Sequence, residues 1–129
     1  MQEPNVNEWL AQAKQDPNAY QCGMYLLHNG TVRETPKAQV RRGMQDAGVV
    51  TGLNLSHDDA LLAEYIEQAK QLPGIFYVRV WLNSGHLELG DSLMYVLIGG
   101  DIRPHVVDAL QWLVGNIKDH VVIEQEELA

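Results

Sequence analysis

Apolar residues recur at steps of three and four in two long stretches of the chain, a pattern that predicts two amphipathic α-helices. The first helix is expected after Ser56, which forms a capping-box pattern with Asp59, and it should end before Pro73. The second is expected to begin near Asp101, a candidate N-cap, with Pro104 in its first turn. The two apolar faces consist of Leu61, Leu62, Tyr65, Ile66 and Ala69, and of Val106, Leu110, Leu113 and Ile117.

Runs rich in β-branched and aromatic residues predict β-strands, and the clearest of them extends from Ile75 to Leu82. His28-Asn29-Gly30 predicts a tight turn after the first strand, because Asn-Gly accepts the positive φ that such turns require. With a short helix over residues 5–15, the order of elements predicts an α+β domain with both main helices on one face of a mostly antiparallel sheet. The other predicted strands cover Tyr20 to Leu27, Val49 to Leu55, Leu87 to Leu89 and Leu93 to Ile98, followed late in the chain by a short β-rich run from Val121 to Ile123.

The 129 residues are expected to form one domain, residues 1–129, around a single core. Residues 34–48 are polar and rich in Pro and Gly, which predicts a mobile loop, with a short helix from Ala38 to Asp46 as an alternative. Residues 124–129 are expected to form an acidic, solvated tail. Because the first residues lack a secretory signal pattern and no apolar run approaches the ~20 residues of a spanning helix, we expect a cytoplasmic location.

The formal net charge is −8, from 17 acidic and 9 basic residues. Nucleic acid and anionic membrane surfaces require clustered Lys and Arg, so neither is an expected partner. The single cysteine, Cys22, excludes an internal disulfide, and its place in a predicted strand favours an inert core residue. The histidines lack HxH and HExxH spacing, so no metal site is expected. They are His28, His57, His86, His105 and His120.

The order and spacing of six segments, from about Trp9 to Glu127, resemble the large subunit of molybdopterin synthase. The segments are CGMYLLHNGTVR, DDALLAEYIEQAKQLPG, IFYVRVWL, GHLELGDSLMYVLIGG, DIRPHVVDALQWLVGNIK and HVVIEQEE. The resemblance implies an α/β-hammerhead fold, in agreement with the α+β element order. It also implies transfer of sulfur from a thiocarboxylated, ubiquitin-like small carrier subunit to a pyranopterin phosphate in molybdenum cofactor biosynthesis. A homodimer is implied as well, and no bound cofactor.

Three basic residues match functional positions of that family. The resemblance implies that Lys118 is catalytic and that Arg33 and Arg103 bind the anionic groups of the substrates. Each residue also has a structural interpretation. Lys118 can simply close a helix C-terminus, a contribution of about 0.3–1 kcal/mol. Arg103 can form a surface pair with Asp101 or Asp108, and Arg33 can be a rim residue at the end of a strand.

The chain departs from the family pattern at several functional positions. Ile102 stands where the family has the histidine that precedes the matching arginine, and Leu82-Asn83 replaces a His-Arg pair. Gln125 stands at the position of the second catalytic lysine. These changes favour an alternative function, a catalytically degenerate member that binds a partner or a small anion. From the sequence, whether the chain is an active sulfur transferase stays open.

Overall fold

The computed structural model describes residues 2–36 and 48–129 of the chain. The alternative helix from Ala38 to Asp46 and most of the expected loop 34–48 lie outside the described residues. The described elements, in order, are α1 (Val6–Ala13), a 3-10 turn (Ala19–Gln21), β1 (Met24–Thr31), β2 (Val50–His57), α2 (Asp59–Lys70), β3 (Ile75–Leu82), β4 (Gly85–Glu88), β5 (Ser92–Gly100), α3 (Arg103–Asn116), a π-turn (Ile117–Val121) and β6 (Val122–Leu128).

The strands form two three-stranded sheets with the orders β1-β5-β3 and β4-β2-β6. Each strand pair in both sheets is antiparallel. The predicted α+β class with antiparallel pairing is therefore confirmed, and strand β3 has the predicted bounds. The single sheet of the prediction is in fact two sheets, because β2 and β4 pair with each other and β2 pairs with β6, rather than with β3 and β5.

The two main helices, α2 and α3, pack on one face of the first sheet, as predicted. Successive side chains of strand β5 point alternately to the two faces of the first sheet. Val96 and Ile98 belong to the large core under α2 and α3, whereas Leu97 packs against Trp9 and Ala13 of α1 on the opposite face. The large core also includes inward residues of β2 and β6, so it joins the two sheets.

The two main helices start differently from the prediction. Strand β2 continues to His57, and Asp58 caps α2 by accepting a hydrogen bond from the Leu61 amide at 3.0 Å. The predicted Ser56 cap is therefore wrong. Helix α3 has proline in its first turn, as predicted, but its N-cap is Ile102 and not Asp101.

The first strand starts four residues later than predicted, because residues 19–21 form a 3-10 turn. His28-Asn29-Gly30 is not a turn, since all three residues pair with β5, His28 opposite Val96 and Gly30 opposite Met94. Here the long-range ladder prevails over the local turn preference. Cys22 follows the 3-10 turn and precedes the strand, where it is half-buried, so its predicted place in a strand is also wrong.

Candidate functional site

Lys118 is positioned by the π-turn that follows helix α3. Ile117 and Val121, the first and last residues of this turn, are buried in the core, and Lys118 between them is half-buried. The Val121 carbonyl accepts a hydrogen bond from the Asp58 amide at 3.0 Å, which ties the turn to the start of α2. These anchors hold the lysine at the side of the molecule where the two sheets meet.

Arg33 lies just beyond the end of β1. The register of β1 on β5 shifts between Gly30 and Thr31, and the chain then continues beside the turn that precedes β5. Val32 is buried there and forms backbone hydrogen bonds with Gly90 and Asp91 at 2.9 and 3.0 Å. Because these hydrogen bonds fix the backbone of Val32, the exposed side chain of Arg33 extends from a defined backbone position.

Lys118 and Arg33 line the same cavity, which lies between the two sheets and has a volume of about 150 Å³. This is large enough for a small anion or the end of a peptide. Among the described residues, the ionisable groups of its wall are two cations, two carboxylates and one imidazole. The lining residues are His28, Gly30, Thr31, Val32, Arg33, Val50, Leu53, Leu93, Lys118, Glu124 and Glu126.

His28 reaches the cavity because it belongs to strand β1 and not to a turn. Its Nε2 atom is buried and has no hydrogen-bond partner among the described residues. Burial, together with the positive charge of Lys118, lowers the pKa of the imidazole below its ordinary value. The ring is therefore neutral at physiological pH, and its orphaned nitrogen is available to a ligand. Neither the spacing of the histidines nor the family resemblance predicted that His28 lines the cavity.

Glu124 and Glu126 face the cavity from strand β6. In the register of β6 on β2, Glu124 is opposite Leu55 and Glu126 is opposite Leu53, and both leucines are buried. Directly opposed residues of an antiparallel pair share one face, so these glutamates point inward. The expectation of a solvated tail is thus wrong for residues 124–128, which form the strand itself.

Gln125, at the position of the second catalytic lysine, is exposed and pairs with Asn54 on the outer face of the sheet. Its neighbour Glu127 also lies on that face, where its carboxylate accepts a hydrogen bond from Asn54 at 2.6 Å and contacts His86 Nδ1 at 3.1 Å. A lysine placed at position 125 in this register would project away from the cavity.

Arg103 lies apart from the cavity within this chain. It is exposed at the start of α3, and Lys118 follows the end of the same helix. The 14 residues of α3 separate them by about 20 Å along the helix axis. The neighbouring Asp101 carboxylate pairs with His105 Nδ1 at 2.7 Å, and this hydrogen bond is the main cause that lowers the pKa of Asp101. The structure therefore unites two of the three predicted cations, and not Arg103.

Residues 2–36 and 48–129 contain no group of three or more His, Cys, Asp or Glu side chains that could hold a metal ion. None of the described helices is long and apolar enough to cross a membrane.

Fold and site together define a small α+β protein of paired antiparallel sheets, with an ionisable cavity where the sheets meet. A model of the family described as MoaE protein matches residues 2–120, and the chain belongs to this family. The family resemblance seen in the sequence is thus confirmed. No curated protein matches the chain.

Solved structures show the same fold at low sequence identity. The chain is similar to the X-ray structure of molybdopterin synthase from Staphylococcus aureus, with a TM-score of 0.74, 16% identity, and coverage of 100% of this chain and 88% of that chain. For the MoaE protein from Burkholderia ambifaria the values are 0.73, 16%, 100% and 83%. For the complex of subunits 1 and 2 of molybdopterin-converting factor from Helicobacter pylori they are 0.66, 17%, 97% and 80%.

Proposed function

We propose that this protein acts in molybdenum cofactor biosynthesis as the large subunit of a molybdopterin synthase. Family membership supports the pathway, and the similarity to a solved complex of two molybdopterin-converting factor subunits supports a small partner subunit. The observation that carries the proposal is the shared cavity. Lys118 and Arg33, which the resemblance marks as functional, are distant in sequence and line one hollow.

The proposed reaction moves sulfur from the thiocarboxylate at the carrier's C-terminus to the pyranopterin phosphate. The sulfur forms a bond to a pterin carbon in place of an oxygen substituent, which leaves with a proton. Water then cleaves the acyl C–S bond, and the carrier departs as a carboxylate. Because a dithiolene holds two sulfur atoms, two such transfers, each from its own thiocarboxylated carrier, complete the product. In this scheme the Lys118 ammonium orients the thiocarboxylate and donates the proton to the departing oxygen, while Arg33 binds an anionic group at the rim.

Arg103 takes part in this proposal only through a second copy of the chain. The proposed homodimer would bring Arg103 of one protomer to the cavity of the other. This part can be tested by mixing Arg103→Ala and Lys118→Ala dimers and allowing the subunits to exchange. Recovery of activity in the mixture supports a site shared across the dimer, whereas a mixture as inactive as its parents contradicts it.

The sulfur-transfer proposal is tested by incubating the protein with a thiocarboxylated small carrier and a pyranopterin phosphate. We expect a dithiolene product, identified by mass spectrometry, and a loss of at least about 100-fold in rate for Lys118→Met. Lys70→Met is the matched control, because Lys70 is exposed on α2 and pairs with Glu67 at 3.1 Å. Equal rates for the two variants would contradict the role of Lys118.

A second function, a partner-binding module without turnover, is favoured by the two inward glutamates. They reduce the positive charge of a cavity that should accept anions, and the position of the second lysine faces outward. This alternative predicts a stable complex with the carrier in gel filtration and no dithiolene product in the same incubation. Product formation would exclude it.

A further inference from the structure

The charges of the described lining residues cancel, so the one neutral ionisable residue among them, His28, can shift this balance. Among the described lining residues, Arg33 and Lys118 contribute two positive charges, and Glu124 and Glu126 contribute two negative charges. An anion entering such a wall gains little from long-range electrostatics. Among the described lining residues, the net charge therefore depends on the fifth ionisable group, His28.

His28 also offers the hydrogen-bonding geometry that an anion needs. Its ring packs over Gly30 of the same strand, where a Cβ added to the glycine would lie 3.7 Å from Nε2, and both residues line the cavity. The Nε2 atom is buried without a hydrogen-bond partner in the described part of the chain. Such a buried polar atom is costly to leave unpaired, so a ligand atom that pairs with it recovers that cost.

We propose that His28 is the anion-binding switch of this cavity: it takes up a proton when an anion enters, and its Nε2–H group then donates a hydrogen bond to the anion. The inference rests on the proposed function in expecting an anionic ligand, either the carrier's terminal carboxylate group or the substrate phosphate. Both have the chemistry of a small oxyanion. The proposal adds His28 to the binding residues, a residue that the family resemblance does not mark.

The direction of the pH dependence follows from linkage. Burial and Lys118 lower the pKa of the imidazole and keep it neutral in the empty cavity at neutral pH. A bound anion favours the protonated ring, so binding raises the pKa of His28, and protonation in turn tightens binding. Affinity for an anion should therefore rise as the pH falls from about 7.5 to about 5.5, a window above the reference pKa of carboxyl side chains.

The test is an NMR titration of the full chain with sodium sulfate at constant ionic strength, because sulfate keeps its charge over this window. We expect sulfate affinity to increase about fivefold between the two pH values in the wild type, from one added unit charge. His28→Gln should lose this increase. His86→Gln, a variant on the outer face of the second sheet, should keep it. An unchanged increase in His28→Gln would overturn the proposal.

A second measurement needs no variant at His28. The pKa of the His28 ring, followed by its own NMR signals, should rise when sulfate saturates the protein, and an unchanged pKa would overturn the proposal. A peptide with a free C-terminal carboxylate and the same peptide with an amidated C-terminus then distinguish the two sources of the anion. Given the sulfate effect, a His28-dependent response to the free acid but not to its amide indicates the carrier, and no response to either peptide indicates the phosphate. Neither arm requires turnover, so a failed sulfur-transfer assay leaves this result interpretable.

Discussion

Neutralising one inward glutamate should convert the cavity into a stronger anion site at neutral pH. Glu126→Gln removes one negative charge from a wall whose described charges otherwise cancel, and glutamine keeps the size and the β-strand backbone of the original residue. Strand β6 also provides the control. Glu127→Gln makes the same change of charge one residue later, on the opposite face.

The magnitude follows from the size of the cavity. A sphere of about 150 Å³ has a radius of about 3 Å, which places a bound anion about 5 Å from a wall carboxylate. At that separation the repulsion between one carboxylate and doubly charged sulfate is about 1.7 kcal/mol in water and about 7 kcal/mol at an effective dielectric constant near 20. For a cavity open to solvent we expect a gain of about 1–2 kcal/mol, or roughly five- to thirtyfold tighter binding.

The assay is the sulfate titration at about pH 7.5, followed by amide shifts of the residues that line the cavity. Glu127→Gln should change sulfate affinity by less than about twofold, since its carboxylate is separated from the cavity by the sheet and screened by salt. The gain in Glu126→Gln should shrink as the ionic strength rises. Equal effects in the two variants, or no effect in Glu126→Gln, would refute the inward orientation and the charge balance argued from it.

Three further predictions concern stability and are measured by urea unfolding. Leu113→Ala should cost about 2–5 kcal/mol, because Leu113 is fully buried where α3 meets the sheet. Gly74→Ala should cost more than about 1 kcal/mol, because Gly74 has a φ of 76° and its Cβ would collide with the Asp101 carboxylate and the His105 ring. The His105 hydrogen bond lowers the pKa of Asp101. This bond therefore stabilises the folded state at any pH above the ordinary pKa of an aspartate, and the stabilisation is lost as the pH falls through the lowered pKa of Asp101. His105→Ala should therefore lose less stability than the wild type between about pH 6 and about pH 3, and an identical loss would contradict that linkage.

Much of the fold could be predicted from the sequence, because most elements carry a local pattern that agrees with their tertiary environment. Strand β3 is apolar throughout most of its length and lies at its predicted residues, and helix α2 has the predicted apolar stripe facing the sheet. The errors fall where local and tertiary preferences disagree. Asn29-Gly30 has turn chemistry, yet the ladder with β5 keeps the pair in a strand.

The candidate site was less accessible to prediction. Strand β6 carries glutamates on its inward face because part of that face borders a polar cavity, so it lacks the alternation of apolar and polar residues that marks a half-buried strand. The proximity of Arg33 and Lys118 could be expected only from family resemblance, since no spacing rule relates a strand end to a distant turn. His28 was hidden by the turn prediction.

The length of the π-turn also determines which side chains of strand β6 face the cavity. Side chains alternate between the two faces from Val122 to Glu126, so removing a single residue between Ile117 and Val121, with the shape of the turn kept, would shift this part of the strand by one step. Gln125 and Glu127 would then occupy the positions that Glu124 and Glu126 hold now. A deletion of Asp119, which is exposed, thus offers a one-step way to exchange the polar lining of the hollow without altering any residue that lines it.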